Sequence, residues 1–560
     1  MNGQDSTGPA DTGPADTGPP GTGPADTGPA DTGPAVTTAS GIPVPVVATS
    51  ADVRDGLADR LGQPGEYPFT RGIRPEMYRT RPWTIRQLAG FGTARDTNQR
   101  YRMLLDQGAT GVNGVFDYPS LRGFDSDDPG AGSDVGRGGV AVDVRDDFGE
   151  LFDGIDLARV SVSLVSSQPI GAVSHFAMFL HTAAARGIRP GALTGTSQND
   201  FLMETAITIA PQALPPPASF RLECDLAEYT LQHVPRWNPV SVSGYNYREA
   251  GANAITEGAL TLAHGQAIAR ELGRRGIDPL RYLPRISFFL DSHSDFFEEI
   301  AKFRALRRMW ARWVRDELGV TDPAAQRFRF HTQTAGVTST ARHAHVNIAR
   351  SMTQGLAAVL GGTQSLHVDG YDEAISIPTE HAARTALYSQ LVLLHETGVA
   401  RSADPLGGSY LVEYLTDAVE ERVAALIATI DEMGGLVAAT ESGWVHRELA
   451  STAFADQSAL ETGEQLVVGI NLEAGQEDAP VEPFRLPPGT LAEQCRRLAG
   501  VRARRDPEAW SQAIGELEKT ALGSGNVIPA VLRAVEADAT VGEIGAAFRR
   551  AAGTWEFPLW

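Results

Sequence analysis

The stretch Ser241-Val-Ser-Gly-Tyr-Asn-Tyr-Arg-Glu-Ala250 decides the fold. Pro239 to Ser243 reads as a buried strand through Val240 and Val242; Gly244 breaks the run, and the polar side chains of Tyr245 and Asn246 follow at once. A small-residue helix start, Glu249-Ala-Gly-Ala-Asn253, comes next. A strand that ends in polar groups and feeds a helix is how a (β/α)8 barrel presents reactive side chains at its carboxyl rim. Taken alone, the same residues also describe an ordinary βα turn with one buried tyrosine, so the rest of the chain has to decide.

Outward from this stretch, strand-like and helical runs alternate. The strand candidates are Gly111 to Phe116, Val160 to Val165, Ala192 to Thr196, Val240 to Ser243, Ile286 to Leu290, Phe328 to Thr332 and Gln364 to Val368. Phe296, Ile300, Phe303, Leu306, Trp310 and Trp313 recur at helical spacing, and Asp295 with Glu298 predicts a capping-box start to that helix. Strand–helix repetition predicts parallel α/β, and about eight units over ~300 residues favour a TIM barrel. An open doubly wound sheet is the alternative, but no Gly-x-Gly-x-x-Gly follows a first strand.

The expected organisation follows from texture. Residues 1–40 repeat Asp-Thr-Gly-Pro-Ala and are expected to be a disordered tail, because so few large apolar groups cannot offset the entropy of ordering. Residues 41–66 read as a linker, 67–400 as the barrel, 401–480 as a helical extension and 481–560 as a C-terminal helical segment for packing or docking.

Composition narrows the class of function. Hydrophobic content of 42% and charged content of 21% describe a soluble globular chain. A formal charge of −21 argues against nucleic acid or anionic membrane as a general partner. Two cysteines, Cys224 and Cys495, offer neither a disulfide framework nor a metal cluster, and there is no apolar run of membrane-spanning length and no signal peptide, so a cytoplasmic protein is expected. Five arginines between Arg71 and Arg86, against the single acid Glu76, form a candidate phosphate site, with solvated or ion-paired surface arginines as the plain alternative. His343-Ala-His345 lacks a third ligand nearby and reads as structural. The polar tips Gln198, Tyr245, Asn246, His331 and Gln333 supply hydrogen bonds but little acid–base power, which suits orienting a reactive intermediate better than hydrolysis.

Residues 66–440 resemble the large subunit of the adenosylcobalamin-dependent acyl-CoA mutases, the methylmalonyl-CoA and isobutyryl-CoA mutase family. The stretches that carry the resemblance include Tyr67-Pro-Phe-Thr-Arg-Gly72, Arg81-Pro-Trp-Thr-Ile-Arg-Gln87, Gly195-Thr-Ser-Gln-Asn-Asp200, Ser243-Gly-Tyr245, Phe330-His-Thr-Gln-Thr334, Gly361-Gly-Thr-Gln-Ser-Leu-His367 and Asp404-Pro-Leu-Gly-Gly-Ser-Tyr410. Asp295 to Ala305 and the C-terminal tail are closest to the isobutyryl-CoA and 2-hydroxyisobutyryl-CoA branch. The resemblance implies a TIM barrel threaded by the pantetheine arm of an acyl-CoA, and a radical 1,2-rearrangement. It also implies a separate small subunit for the cobalamin, since Asp291-Ser-His293 falls short of the cobalamin loop Asp-x-His-x-x-Gly, with Phe296 where the glycine belongs. A heterotetramer or another dimer of large subunits is the assembly implied.

By the same resemblance, Arg81, Ser163, Arg285 and Ser287 contact the CoA moiety. Gln198, Tyr245, His331 and Gln333 line the reacting centre, where Asn246 replaces the usual His. Glu249, Asp369 and Glu373 lie towards the adenosyl group or corrin, with Asp369 where most relatives have Asn. Leu88, Val115 and Thr208 stand where relatives read the acyl group. Thr208 replaces the Arg of dicarboxylate mutases and Val115 the Asp of hydroxyisobutyryl types, so an uncharged, isobutyryl-like acyl-CoA is expected rather than methylmalonyl-CoA. A catalytically degenerate paralogue serving as scaffold or partner subunit is the alternative.

Overall fold

Eight parallel strands close on themselves in the computed structural model, which describes residues 36–475 and 481–558. Strand β1 comes in two pieces, Thr84–Ile85 and Leu88–Ala89. The strands β2 (Gly111–Val115), β3 (Ser161–Val165) and β4 (Gly195–Gln198) follow. Strand β5 is again split, into Trp237–Asn238 and Val240–Ser243, before β6 (Ile286–Ser292), β7 (Phe330–Thr334) and β8 (Ser365–His367). The first piece of β1 pairs with β8 and the second with β2, which closes the barrel on one side. The pieces of β5 pair with β4 and β6 and close it on the other. The break in β5 falls at Pro239, whose nitrogen has no proton for a ladder.

Helices cover the outside. The helix Ala254–Arg274 is capped by Asn253, whose side chain accepts from the Ile255 and Thr256 N–H groups. The helix Phe296–Asp316 buries Ile300, Phe303, Leu306 and Trp310 completely, and Trp310 meets Phe288 of β6 edge-on at 5.0 Å. Each such side chain stabilises the fold by roughly 1.5–3 kcal/mol, and Trp310→Ala would cost about 3–5 kcal/mol. Arg304 on this helix pairs with Asp404 and Glu413, and Arg308 with Asp417 at 2.7 Å, so the extension is clamped to the barrel by buried charge. In the C-terminal helices, Leu517, Val531, Ile544 and Phe548 share one apolar core with Phe176 and Phe179 of the helix Pro169–Ala185.

The structure changes several expectations. Most of the repeat tail, residues 1–35, lies outside the described residues. Its end is not free, however: the Thr38 hydroxyl bonds Glu298, the Ala39 N–H donates to Asp295 at 2.9 Å and Ile42 is buried. Glu298 is thereby turned away from a capping box, and only Asp295 caps the helix. Gly244 starts a short helix, Gly244–Glu249, with Ser243 as its cap; a side chain at Gly244 would come within 2.4 Å of the Thr261 hydroxyl. Strand β4 begins at Gly195 because Pro190–Ala192 is a helical turn, and β7 runs two residues later than expected. Strand β1 is an element the strand candidates omitted.

Candidate functional site

The middle of a TIM barrel is ordinarily filled by branched aliphatic side chains. Here the inward positions at that level carry Asn113, Ser163 and Thr196, which are register partners on β2, β3 and β4. Ser241 and Ser287 face each other across β5 and β6. Small polar groups leave the lumen open as a cavity of about 340 Å³. Two-residue alternation then puts Val165, Gln198 and Phe289 one step nearer the carboxyl rim.

One end of the cavity is a cluster of guanidinium groups. Arg74, Arg81, Arg327 and Arg329 line it, with Arg285 beside them at the start of β6. Burial, together with Arg285, Arg74, Arg81 and Arg327, pulls the Arg329 guanidinium down to about 10. Its hydrogen bonds go to neutral groups, Asn238 at 3.3 Å and the Ile286 carbonyl at 3.4 Å. Arg86 is half-buried on the wall, bonds the Ser161 hydroxyl at 2.6 Å and is lowered to about 10 by desolvation. By contrast Arg71 pairs with Asp404 at 2.9 Å, so the sequence cluster divides into a structural arginine and cavity arginines. Repelling cations held together with no carboxylate partner among the described residues are suited to a polyanion.

The other end is neutral. Gln198 Nε2 and His331 Nε2 are buried without partners among the described residues, as is Asn246 Nδ2 on the short helix after β5. The other nitrogen of His331 contacts the Ser365 hydroxyl at 2.7 Å. Burial, Arg86 and His367 hold the His331 imidazole well below its usual range, so it is a neutral group. Unpartnered buried amide and imidazole nitrogens are costly in a closed fold and fit a ligand carbonyl.

Above them, Tyr245 stacks on Phe289, and its hydroxyl accepts from Gln333 Nε2 at 2.7 Å. Around Tyr245 stand Glu249, Asp291, Asp369 and Glu373. Glu249 accepts from the Val337 N–H at 3.0 Å, and burial raises it to about 7. Burial with Asp369 and Glu249 pushes Glu373 well above the carboxylate range.

The structure thus brings Arg81, Ser163, Gln198, Ser287 and His331 to one cavity, with Arg285 at its mouth and Tyr245, Gln333, Glu249, Asp369 and Glu373 about its rim; Asn246 follows Tyr245 on the same short helix. Val115, half-buried, ends β2, and Leu88, also half-buried, opens the second piece of β1. Thr208 is not brought in: it is exposed at the end of the π-helical turn Met203–Ile207, its hydroxyl donating to the Met203 carbonyl at 2.9 Å. Sequence reasoning omitted Arg327, Arg329 and Phe289, and named Arg74 and His367 only within the arginine cluster and the stretch Gly361 to His367. The alternation Arg327-Phe-Arg329 leading into β7 was the available signal for two of them. His345, read as structural, stacks on Tyr371 at 4.8 Å.

Comparison with known proteins agrees with this geometry. The pattern of the methylmalonyl-CoA mutase family matches residues 37–554. This chain belongs to that family. Among its relatives, the 2-hydroxyisobutanoyl-CoA mutase large subunit of Aquincola tertiaricarbonis is 40% identical over 509 residues, 90% of each chain. The methylmalonyl-CoA mutase of Cereibacter sphaeroides is 40% identical over 517 residues, 92% of this chain and 72% of its own. The human mitochondrial methylmalonyl-CoA mutase is 37% identical over 518 residues, 92% of this chain and 68% of its own. The protein is therefore an intramolecular transferase of the acyl-CoA mutase family. None of the helices among the described residues is long and apolar enough to cross a membrane.

Proposed function

We propose that this chain is the large, acyl-CoA-binding subunit of a cytoplasmic mutase that rearranges the carbon skeleton of a short, uncharged, branched acyl-CoA. Adenosylcobalamin is held mainly by a separate small subunit. One observation carries the proposal: an open polar lumen joins a mouth of unneutralised arginines to a rim of neutral hydrogen-bond donors. A CoA thioester has that order of chemistry. Its phosphates suit Arg81, Arg285 and Arg329, its amide-bearing arm suits Asn113, Ser163 and Ser287, and its thioester carbonyl suits Gln198, Asn246 and His331.

The rim groups Glu249, Asp369 and Glu373 fit the hydroxyls of an adenosyl ribose, which can donate to a carboxylate oxygen and accept from a protonated carboxyl group such as that of Glu373. The stretch Asp291-Ser-His293 falls short of the cobalamin loop Asp-x-His-x-x-Gly, with Phe296 at the position of the glycine. That supports assigning the corrin to another chain. When bound, adenosylcobalamin supplies the hydrogen-abstracting radical chemistry. The residues of this chain bind the thioester, orient its carbonyl and keep water from the reacting carbons.

Val165 and Phe289 give the acyl end an apolar surround, with Leu88 and Val115 on the neighbouring strands. Thr208 stands where the resemblance puts the Arg that holds a second carboxylate in dicarboxylate mutases, so a carboxylated acyl group would lack that partner here. The chain should be mixed with a cobalamin-binding small subunit and adenosylcobalamin and offered a panel of acyl-CoAs. Formation of a skeletal isomer from a branched, uncharged acyl-CoA is expected; no isomer from any acyl-CoA would overturn the proposal.

A further inference from the structure

Tyr245 stands at the end of a hydrogen-bond chain that begins on the backbone of β1. The Leu88 N–H donates to His367 Nδ1 at 3.0 Å. A ring nitrogen that accepts carries no proton, so the proton of His367 sits on Nε2, which lies 3.0 Å from Asp369 Oδ1. The same oxygen accepts a hydrogen bond from Gln333 Nε2 at 3.0 Å, while Asp369 Oδ2 accepts from the Thr334 hydroxyl at 2.9 Å. A carboxylate offers its neighbours only lone pairs. The Gln333 amide must therefore turn its NH2 group towards Asp369, and the second N–H of that group meets the Tyr245 oxygen at 2.7 Å.

With both amide protons placed, the phenol oxygen accepts in this contact and its own proton is left over. Among the described residues the hydroxyl has no second partner. Burial, with Glu249, Asp369, Glu373 and Asp291 around it, keeps the phenol well above its usual range, so the proton stays on the ring oxygen. Stacking on Phe289, which lines the cavity, holds the ring at the upper end of the lumen.

We infer that Asp369, itself oriented by His367, is a positioning residue that fixes the Gln333 amide so that Tyr245 presents its O–H proton to the bound acyl thioester. This rests on the mutase function proposed above and adds a polarity to its reacting centre. Were the amide reversed, Tyr245 would donate to Gln333 and offer the substrate only lone pairs.

The phenol C–O stretch of Tyr245, read by isotope-edited infrared spectroscopy with Tyr245→Phe as the blank, reports whether the hydroxyl accepts from or donates to its protein neighbour. It is measured on the full chain without cofactor. Gln333→Glu keeps the side-chain size but replaces the donor by an acceptor, and should move the band to the donor position. Asp369→Leu leaves the amide unassigned and should split or broaden the band. Asp369→Asn, whose amide oxygen can take the same protons, should retain the wild-type band. In the assembled enzyme, Gln333→Glu should lower kcat by about 100-fold with KM within about threefold, as for loss of one aimed donor. An unmoved band in Gln333→Glu, or a sharp wild-type band in Asp369→Leu, would overturn the inference. If the wild-type assembly isomerises no acyl-CoA, the proposed function fails, and the infrared bands still decide the polarity of Tyr245.

Discussion

Phe289 lies flat against Tyr245, with ring centroids 4.8 Å apart and planes inclined by 8°. Phe289 is also on the cavity wall, so a residue of the lumen sets the plane of the ring above it. An aromatic pair of this kind contributes about 1 kcal/mol beyond its burial. Phe289→Leu should therefore keep the fold and CoA binding while lowering kcat several-fold. A steady-state comparison in which KM rises and kcat holds would show that the stack only shapes the binding channel.

The arginine mouth predicts a linked gain and loss. Arg329 is surrounded by Arg285, Arg74, Arg81 and Arg327 and is lowered to about 10, which means its charged form is disfavoured in the folded chain. A group lowered in this way weakens the fold throughout the neutral range, where the unfolded arginine is fully protonated, and a bound polyanion relieves the repulsion. Arg329→Gln should raise the melting temperature of the free chain and raise KM for acyl-CoA by about tenfold or more, with kcat little changed. Thermal unfolding with and without CoA checks both signs, since CoA should stabilise the wild type more than the variant.

His331 is held neutral by burial, Arg86 and His367. Its imidazole cannot supply a titration near the usual histidine value, so kcat should show no limb around pH 6–7 that disappears in His331→Gln. The variant keeps a side-chain amide donor and should lose about tenfold to 100-fold in kcat, less than His331→Leu. Matched pH–rate profiles of the three proteins measure this.

Glu204 lies in the π-helical turn after β4 with both carboxyl oxygens buried and without a partner among the described residues, and burial raises it to about 7 although Arg549 and Arg122 oppose the shift. Its folded value is above the ordinary 4.5, so the folded chain holds the extra proton. The associated stability is fully present below about pH 4.5 and is lost as pH rises through about 7, on the order of 3 kcal/mol. Glu204→Gln should remove that fall and be the more stable protein at pH 8. Denaturant titrations at pH 5 and pH 8 test it; a parallel pH dependence in the two proteins would contradict the assignment.

Strand β5 was legible because Val240 and Val242 alternate with small residues and end at Gly244. The first strand was not: Thr84 to Ala89 contains Arg86 and Gln87, its ladder is split, and its inward side chains are polar because they face a cavity. An open lumen removes the apolar alternation by which barrel strands are ordinarily read. The family motifs placed Gln198, Tyr245, His331 and Gln333 at one end of the barrel. They could not tell which arginines stay unpaired, because the partner of Arg71 is Asp404, far along the chain. Thr208 was placed by motif alone, and the turn that carries it takes a π-helical course that leaves it exposed. The end of the repeat tail escaped because the acceptors for Thr38 and Ala39 lie on a helix more than 250 residues away.

The central claim is that this lumen serves an uncharged branched acyl-CoA. It is tested most directly by competition in one reaction: the chain, a cobalamin-binding small subunit and adenosylcobalamin are supplied with equal isobutyryl-CoA and methylmalonyl-CoA, and the two skeletal isomers are measured by mass spectrometry. A kcat/KM ratio favouring the uncharged substrate by about 100-fold or more is predicted, the cost of burying a carboxylate without a cation. Preferential conversion of methylmalonyl-CoA would contradict the account.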